Sequence, residues 1–355
     1  MQIDRSRPVL VTGGNGYIAS WLVKMLLEDG MDVHATVRDP SDNRKVGHLL
    51  QLAQHTPGKL SLYPADLLKD GSFDLAMAGC ELVFHTASPF VISGIRDPQK
   101  QLVDPAVNGT RNVLASADRC ASVRRVVLTS SCAAIYGDNI DQQDVPGGVY
   151  TEAQWNSSSS LQHQPYSYSK LAAERAAWEM ARAQDRWQLV VINPGLVLGP
   201  ALTRASDSTS LDVIKQFIDG RLALGAPDLD FVVVDVRDVA LAHIRAGLLP
   251  EASGRHITIS QTMSLLEMGR VLRRHYGWRY PFPRWRAPKW LAWLLAPISG
   301  VTRDFISRNV GYPLRFDNSY ACRDLQMRFR PFEETLVDHF QQLIDDGVVK
   351  DRRPR

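Results

Sequence analysis

Cysteine is scarce in this chain: there are four among 355 residues, Cys80, Cys120, Cys132 and Cys322, with no C-x-x-C pair and no neighbouring histidine. That spacing indicates neither a zinc site nor a disulfide framework, so no metal is expected and a reducing cytoplasm is the expected compartment. Long apolar runs are missing too. The longest, Trp290 to Ile298, is too short to span a bilayer, which takes about 20 residues. The opening MQIDRSRPVL enters an apolar stretch with no secretory apolar region, so a soluble protein is expected. An excess of one charge is also lacking: 41 Lys and Arg face 38 Asp and Glu, a net +3 that implies no nucleic acid. No repeat stands out. The single low-complexity piece, NSSSS at Asn156–Ser160, reads as a surface loop.

What remains is an ordinary soluble mixture, 45% apolar and 22% charged. Short β-like runs occur at Val9–Thr12, Val33–Val37, Leu60–Tyr63, Leu82–His85, Arg125–Thr129 and Leu189–Ile192, separated by stretches with helical spacing. Parallel strands joined by helical crossovers are buried on both faces, which explains continuous runs such as VLV and VVL. The expected fold is therefore α/β, a doubly wound parallel (Rossmann) sheet. Residues 1–200 are expected to form this sheet, and residues 201–355 a smaller C-terminal lobe, with segments around 231–260 returning to the sheet.

VLVTGGNGYIAS, from Val9 to Ser20, places three glycines directly after the first strand. Such a turn can let the backbone approach a pyrophosphate seated on the next helix's N-terminus. Gly13, Gly16 and Ala19 follow the tighter variant of the dinucleotide fingerprint, and the helix that opens there is amphipathic through Tyr17, Trp21, Leu22, Met25 and Leu26. At the end of the second strand, Arg38 stands where an acid would otherwise meet the adenosine ribose. Arg38 with Lys45 fits a 2′-phosphate and favours NADP(H); with Asp39 as the ribose reader, NAD(H) remains possible. Asp66 and Leu67 follow the third strand, suited to covering the adenine, although Asp66 suits a helix N-cap equally well.

Further on, PYSYSKLAAERAAW sets Tyr166 and Lys170 four residues apart, on one helical face, with Tyr168 turned away. An unperturbed phenol titrates near ~10, too high for ready proton exchange at neutral pH. A neighbouring ammonium favours the phenolate. The strand Arg125–Thr129 ends in Ser130-Ser131, at the sheet edge where doubly wound folds bind ligands. Adjacent hydroxyls on an extended chain point to opposite sides, so one of the two faces the cleft.

With these residues in hand, the chain resembles the extended short-chain dehydrogenase/reductases, closest to their dihydroflavonol-reductase and aldehyde/ketone-reductase branch. The resemblance is carried by VTGGNGYIASWLV, ATVRDP with Lys45, ADL, VFHTASP (Val83–Pro89), VVLTSSCAA, VYTEAQWN (Val149–Asn156), Tyr166-x-x-x-Lys170 and NPGLVLGP (Asn193–Pro200); it is strong from Val9 to about Gly199 and weaker beyond. It implies that Ser131 polarises a carbonyl, Tyr166 is the general acid, and Lys170 holds the nicotinamide ribose and assists the tyrosine. It also implies that Gly13, Gly16, Tyr17, Ile18, Thr86, Ala87 and Ser88 bind cofactor, with Pro194 and Val197 against the nicotinamide. Ser130 stays the rival for the serine role. Ser88, Tyr136 and Trp290 are the substrate-side candidates.

The implied activity is NADPH-dependent reduction of an aldehyde or ketone to an alcohol, reversible as an alcohol dehydrogenase. The alternatives are a nucleotide-sugar epimerase or dehydratase and a 3β-hydroxysteroid-dehydrogenase-like enzyme; a non-enzymatic NADP sensor is disfavoured because both Tyr166 and Lys170 are kept. Tyr136 stands where an asparagine would contact a flavonoid ring, so flavonoid specificity does not transfer. The loop Gly137–Gln164 is expected at the substrate mouth, with His163 a solvent-exposed member of it. The partner is a small carbonyl compound, and the family suggests a homodimer on the helices bearing Asp104–Arg119 and Tyr166–Ala183. RVLRRHYGWRYPFPRWRAPK, Arg270 to Lys289, holds seven Lys and Arg and no acid among its aromatics. A substrate cap is the leading reading of that strip, with membrane-surface contact behind it and nucleic acid last.

Overall fold

The computed structural model describes every residue except 89–93, 204–208, 219, 221, 224, 299 and 353–355. Six strands come first: β1 (Val9–Thr12), β2 (Asp32–Val37), β3 (Lys59–Pro64), β4 (Leu82–His85), β5 (Arg125–Thr129) and β6 (Gln188–Pro194). They lie in one parallel sheet in the order 3-2-1-4-5-6, that of a dinucleotide-binding sheet. β1 and β4 are buried at every position, as strands covered by helices on both faces must be. Helices α1 (Tyr17–Glu28), α2 (Asn43–Gln54), α3 (Asp74–Met77), α4 (Asp104–Arg119) and α5 (Pro165–Arg182) make the crossovers. α1 turns Leu22, Val23, Leu26 and Leu27 onto the sheet and ends at Gly30, whose φ of +75° is left-handed, the usual chain reversal after a helix.

Past β6 the chain leaves the sheet. β7 (Leu196–Leu198), β8 (Ala226–Pro227) and β9 (Asp230–Asp235) follow, then β10 (Gly254–Thr258), β11 (Gln261–Ser264) and β12 (Arg286–Ala287). Of the segment 231–260, only β10 rejoins the main sheet, as a parallel neighbour of β6. β9 sits between β7 and β11 in a second, three-stranded sheet. A short helix α6 (Thr209–Ile218) precedes β8, and α7 (Val236–Leu248) returns to pack along α1. α8 (Leu265–Tyr276), α9 (Lys289–Leu295), α10 (Arg303–Asn309), α11 (Ser319–Asp324) and α12 (Phe332–Asp345) complete the C-terminal lobe. Its core joins Phe217, Leu266, Leu272, Tyr276, Tyr280, Phe282, Phe332 and Phe340.

Arg125, at the start of β5, is fully buried. Its guanidinium donates to the carbonyls of Ala246 and Gly247 (both 3.2 Å), Leu249 (2.6 Å) and Pro250 (3.1 Å), and to Gln188 Oε1 (3.1 Å). The final carbonyls of a helix have no partner inside it, and here one side chain supplies α7 with its donors.

Candidate active site

A cleft of about 380 Å³ opens at the carboxyl ends of β1, β4, β5 and β6, where strand order reverses between β1 and β4 and such sheets bind ligands. Gly13, Gly16, Tyr17 and Ile18 form one wall, Ser131, Tyr136, Tyr166 and Lys170 another, and Pro194, Leu196, Val197, Phe231 and Val232 the side toward the C-terminal lobe.

The glycine wall is built by exclusion. Gly13 has φ +65°, and a Cβ there would lie 3.1 Å from Ala87; a Cβ on Gly14 would lie 2.8 Å from that of Ala35. Both positions need glycine, one for its dihedral and both for the close approach. Thr12 fastens the loop to the next strand: its Oγ1 accepts the backbone N–H groups of Thr86 and Ala87 (both 3.1 Å) and lies 3.0 Å from His85 Nδ1. α1 starts with Gly16 at its N-cap, no side-chain cap and no acid in its first turn. Its open N–H groups therefore face the cleft with a positive helix end, a cradle that fits a dinucleotide pyrophosphate.

On the opposite wall, α5 begins with Pro165 at its first turn, preceded by Gln164 at φ +52°. Tyr166 and Lys170 share a face: the Lys170 ammonium lies 5.7 Å from the Tyr166 ring centroid and donates to Ser88 Oγ at 3.1 Å. Tyr168 is half-buried and does not line the cleft. The two serines divide as an extended chain requires. Ser130 Oγ donates to Glu174, whereas Ser131 Oγ accepts the N–H of Ala133 at 3.1 Å. Both edge the cleft, but the Ser130 proton is already given away and that of Ser131 can point at a ligand oxygen.

Beneath them lies a buried polar hub. Glu174, one turn beyond Lys170, is 1% exposed. One carboxylate oxygen accepts from Ser130 and from Asn193 Nδ2 (2.8 Å); the other accepts from Arg255 Nε (2.6 Å) and Trp178 Nε1 (3.3 Å). Asn193 Nδ2 also donates to the Ser131 carbonyl at 3.1 Å. Arg255 donates to the carbonyls of Glu152 and Gln154 and lies 3.9 Å from the ring centroid of Trp155. The hub thus ties α5, β6, β10 and the residue after β5 into one rigid base. His85, behind the cleft, is held neutral: burial, then the Lys170 ammonium, pulls it down to about 3.

A family model described as the NAD dependent epimerase/dehydratase family matches residues 9–260. The chain belongs to that family. It is an extended short-chain dehydrogenase/reductase, an NADP-dependent oxidoreductase acting on carbonyl and alcohol groups. It is 44% identical over 271 residues to a protein named cinnamoyl-CoA reductase CAD2 of Medicago truncatula, covering 76% of this chain and 80% of that one. With cinnamoyl-CoA reductase 1 of Arabidopsis thaliana the identity is 39% over 354 residues, 98% of this chain and 93% of the relative. Among solved structures, the yeast methylglyoxal/isovaleraldehyde reductase Gre2 complexed with NADPH superposes with TM-score 0.76 at 27% identity, covering 96% of this chain and 99% of that one.

In this reductase the outer residues are distributed unevenly. Arg38 and Lys45 are exposed and lie beyond the cleft's lining. Asp39, the rival reader, is turned into its own loop, where its carboxylate accepts from the backbone N–H (2.9 Å) and hydroxyl (2.6 Å) of Ser41, bonds that lower its pKa. Arg44, overlooked in the sequence, adds a third cation at this edge and pairs with Asp42 at 3.1 Å. Asp66 caps a turn through the Leu68 N–H (2.9 Å), not an α-helix. Leu67 and Ala87 line a small neighbouring cavity shared with Ser88 and Lys170, and Thr86 and Ser88 line the main cleft. Pro89, the last residue of the VFHTASP motif, lies outside the described residues.

Four sequence expectations are corrected. Trp290 is 67% exposed and does not line the cleft; its helix turns the small residues Ala292 and Ala296 inward instead. His163 is no solvated loop residue: its Nε2 lies 2.6 Å from the fully buried Asp138 and its Nδ1 3.2 Å from Asp304. Asn156–Ser160 is not a loose surface loop. Asn156 is buried and donates to the carbonyls of Ala133 (2.7 Å) and Tyr136 (2.9 Å), bracing the turn after Ser131. The loop Gly137–Gln164, expected at the substrate mouth, does not line the cleft; its side chains bond to one another and to other parts of the fold, as Ser158 does to Asp141 and Glu152 to the Ile257 N–H. Tyr136 does line the cleft, packed against Tyr150 and Phe316 with its phenol pushed up by burial. Phe231 and Val232, from the second sheet, were missed because they belong to a strand with an unbroken apolar run.

Proposed function

We propose that the protein reduces an aldehyde or ketone to an alcohol with NADPH, Tyr166 donating the proton and Ser131 holding the carbonyl oxygen. The observation carrying this reading is that Ser131, Tyr166 and Lys170 meet on one wall of a cleft whose other wall is the glycine cradle. Gly13, Gly16, Tyr17 and Ile18 bind the pyrophosphate, Arg38 and Lys45 the 2′-phosphate, Asp66 and Leu67 the adenine side, Thr86, Ala87 and Ser88 the middle, and Pro194 and Val197 the nicotinamide end. When bound, the nicotinamide supplies the hydride.

The chain's own residues do the rest. Ser131 donates to the carbonyl oxygen and draws charge toward it. Tyr166 delivers its phenolic proton as that oxygen gains charge, and the Lys170 ammonium on the same helical face supports the phenolate left behind. Ser88, bonded to Lys170, and Tyr136 border the substrate. The apolar side, Phe231 and Val232, suits an alkyl or aryl carbonyl over a polyhydroxylated sugar.

The test is NADPH oxidation over aldehydes, aryl ketones, 3-ketosteroids, a cinnamoyl thioester and UDP-sugars. Turnover is expected with the carbonyl compounds and none with UDP-sugars. Tyr166→Phe is expected to lower kcat by ~10²–10⁴-fold with NADPH affinity kept, while Tyr168→Phe costs little. Near-normal kcat in Tyr166→Phe refutes the assignment of the acid.

A further inference from the structure

The basic aromatic segment divides in two. Tyr276, Tyr280 and Phe282 are buried in the C-terminal core, but Trp278 (71%), Trp285 (55%), Trp290 (67%) and Ile298 (86%) stand in solvent. Trp293, Leu294, Leu295 and Val301 are exposed as well. α9 and the turn after it therefore show water a row of apolar side chains, while Ala292 and Ala296 pack inward on Leu229, Ile306 and Val310 and Lys289 donates to the Ser307 carbonyl at 2.8 Å. Monomeric soluble proteins rarely leave such a patch bare, and a patch rimmed by polar groups marks an interaction site.

The charge around it selects the partner. From Arg270 to Arg303 the sequence carries eight Lys and Arg and no Asp or Glu; two of them pair with carboxylates outside the segment, Arg274 with Glu333 at 2.6 Å and Arg286 with Asp228 at 3.0 Å, so the segment stays net positive. Guanidinium groups lie over the exposed rings: Arg303 4.3 Å from Trp293, Arg284 4.7 Å and Arg273 5.3 Å from Trp278. Indoles beside cations, with aliphatic side chains below, are what a bilayer interface accepts, the rings at headgroup depth and the cations against anionic lipid. A second copy docking symmetrically would set this positive face against itself. A nucleic acid would use the cations and indoles but leave Leu294, Leu295, Ile298 and Val301 wet. Among the described residues no helix is long and apolar enough to cross a membrane, and α9 is one short element of about 10 Å.

We propose that α9 and the flanking basic loop dock this protein peripherally on an anionic lipid surface. The face lies one layer from the cleft, because Phe231, which lines the cleft, also packs against the cluster beneath α9.

The test is co-sedimentation of the full chain with phosphatidylcholine vesicles, with and without phosphatidylserine, alongside single-stranded RNA binding and sedimentation velocity. The expected result is pelleting with the anionic vesicles only, weakened by salt, with a blue shift of tryptophan emission. Arg279→Glu/Arg284→Glu and Trp290→Ala/Ile298→Ala should each weaken that binding by about tenfold or more while far-UV circular dichroism and Tm stay unchanged. The proposal is overturned by no preference for anionic vesicles, by RNA binding without vesicle binding, or by a stable dimer that Trp290→Ala/Ile298→Ala dissociates.

Discussion

Two arginine–tryptophan contacts in this reductase use the same chemistry in opposite surroundings. Arg255 lies 3.9 Å over Trp155 with its side chain 7% exposed and its Nε bonded to the buried Glu174. Arg303 lies 4.3 Å over Trp293 at the surface, on a ring that is 40% exposed. A cation over an aromatic face is worth about 0.5–1 kcal/mol in water and about 2 when dry. Burial therefore turns one contact into a structural joint, whereas exposure leaves the other free to be exchanged for a different anionic or apolar partner. Position in the dielectric, not residue identity, separates a framework pair from a recognition pair.

Acid should sharpen the contrast most, because it acts on buried groups and leaves surface arginines charged. Burial lowers His85 to about 3 and His243 and His339 to about 4. Above pH ~6.5, where an unfolded histidine titrates, both states are neutral and this stability is complete. As pH falls below ~6.5 the unfolded chain takes up protons that the folded chain refuses, and each histidine subtracts about 1.4 kcal/mol per pH unit until its folded value is reached. Thermal melts from pH 7.5 to 4.5 should show Tm falling steadily below ~6.5. A flat Tm down to pH 5 would mean that these side chains reach solvent.

Next in size is Glu174→Ala, which leaves Arg255 buried without its carboxylate. A loss of about 3–5 kcal/mol is expected in urea unfolding, and Arg303→Ala should cost under about 1 kcal/mol. Double-mutant cycles then address the pairs themselves: Arg255 with Trp155 should couple by about 2 kcal/mol and Arg303 with Trp293 by at most about 1. Equal couplings would erase the distinction drawn above. The smallest effect belongs to Trp290→Ala, expected within about 0.5 kcal/mol in stability and without change in KM for a water-soluble aldehyde. A raised KM would return Trp290 to the substrate side.

The main sheet was readable in the sequence because each of its first six strands is short, apolar and flanked by turn residues, and the six expected runs coincide with β1–β6 to within two residues. Tyr166 and Lys170 were readable from the four-residue helical repeat, and the structure brings both to the cleft with Ser131. The hub was not. Glu174 continues the same repeat one turn further, but its partners Asn193 and Arg255 come from separate strands, and no local spacing relates them. Trp290 misled for a similar reason: aromatic content suggests burial, yet α9 packs through alanines, whose small size in a sequence gives little sign of an inward face. His163 and Asn156 looked like loop residues because their neighbours are polar, and their burial follows only from the distant Asp138 and from the turn after β5.

Arg125 gives the paired serines a safeguard during folding. Side chains alternate along a strand, so pairing β5 one residue out of step would exchange the outlooks of Ser130 and Ser131 and leave a hydroxyl at the cleft all the same. Such a slip would also turn Ser130 away from Glu174 and Thr129 away from His243. At the other end it would draw the guanidinium away from four carbonyls and Gln188 inside the protein, and no other residue of β5 carries donors able to replace it. The register is thus specified at both ends of the strand, and at the end remote from the chemistry a misaligned pairing would leave a buried guanidinium without its acceptors.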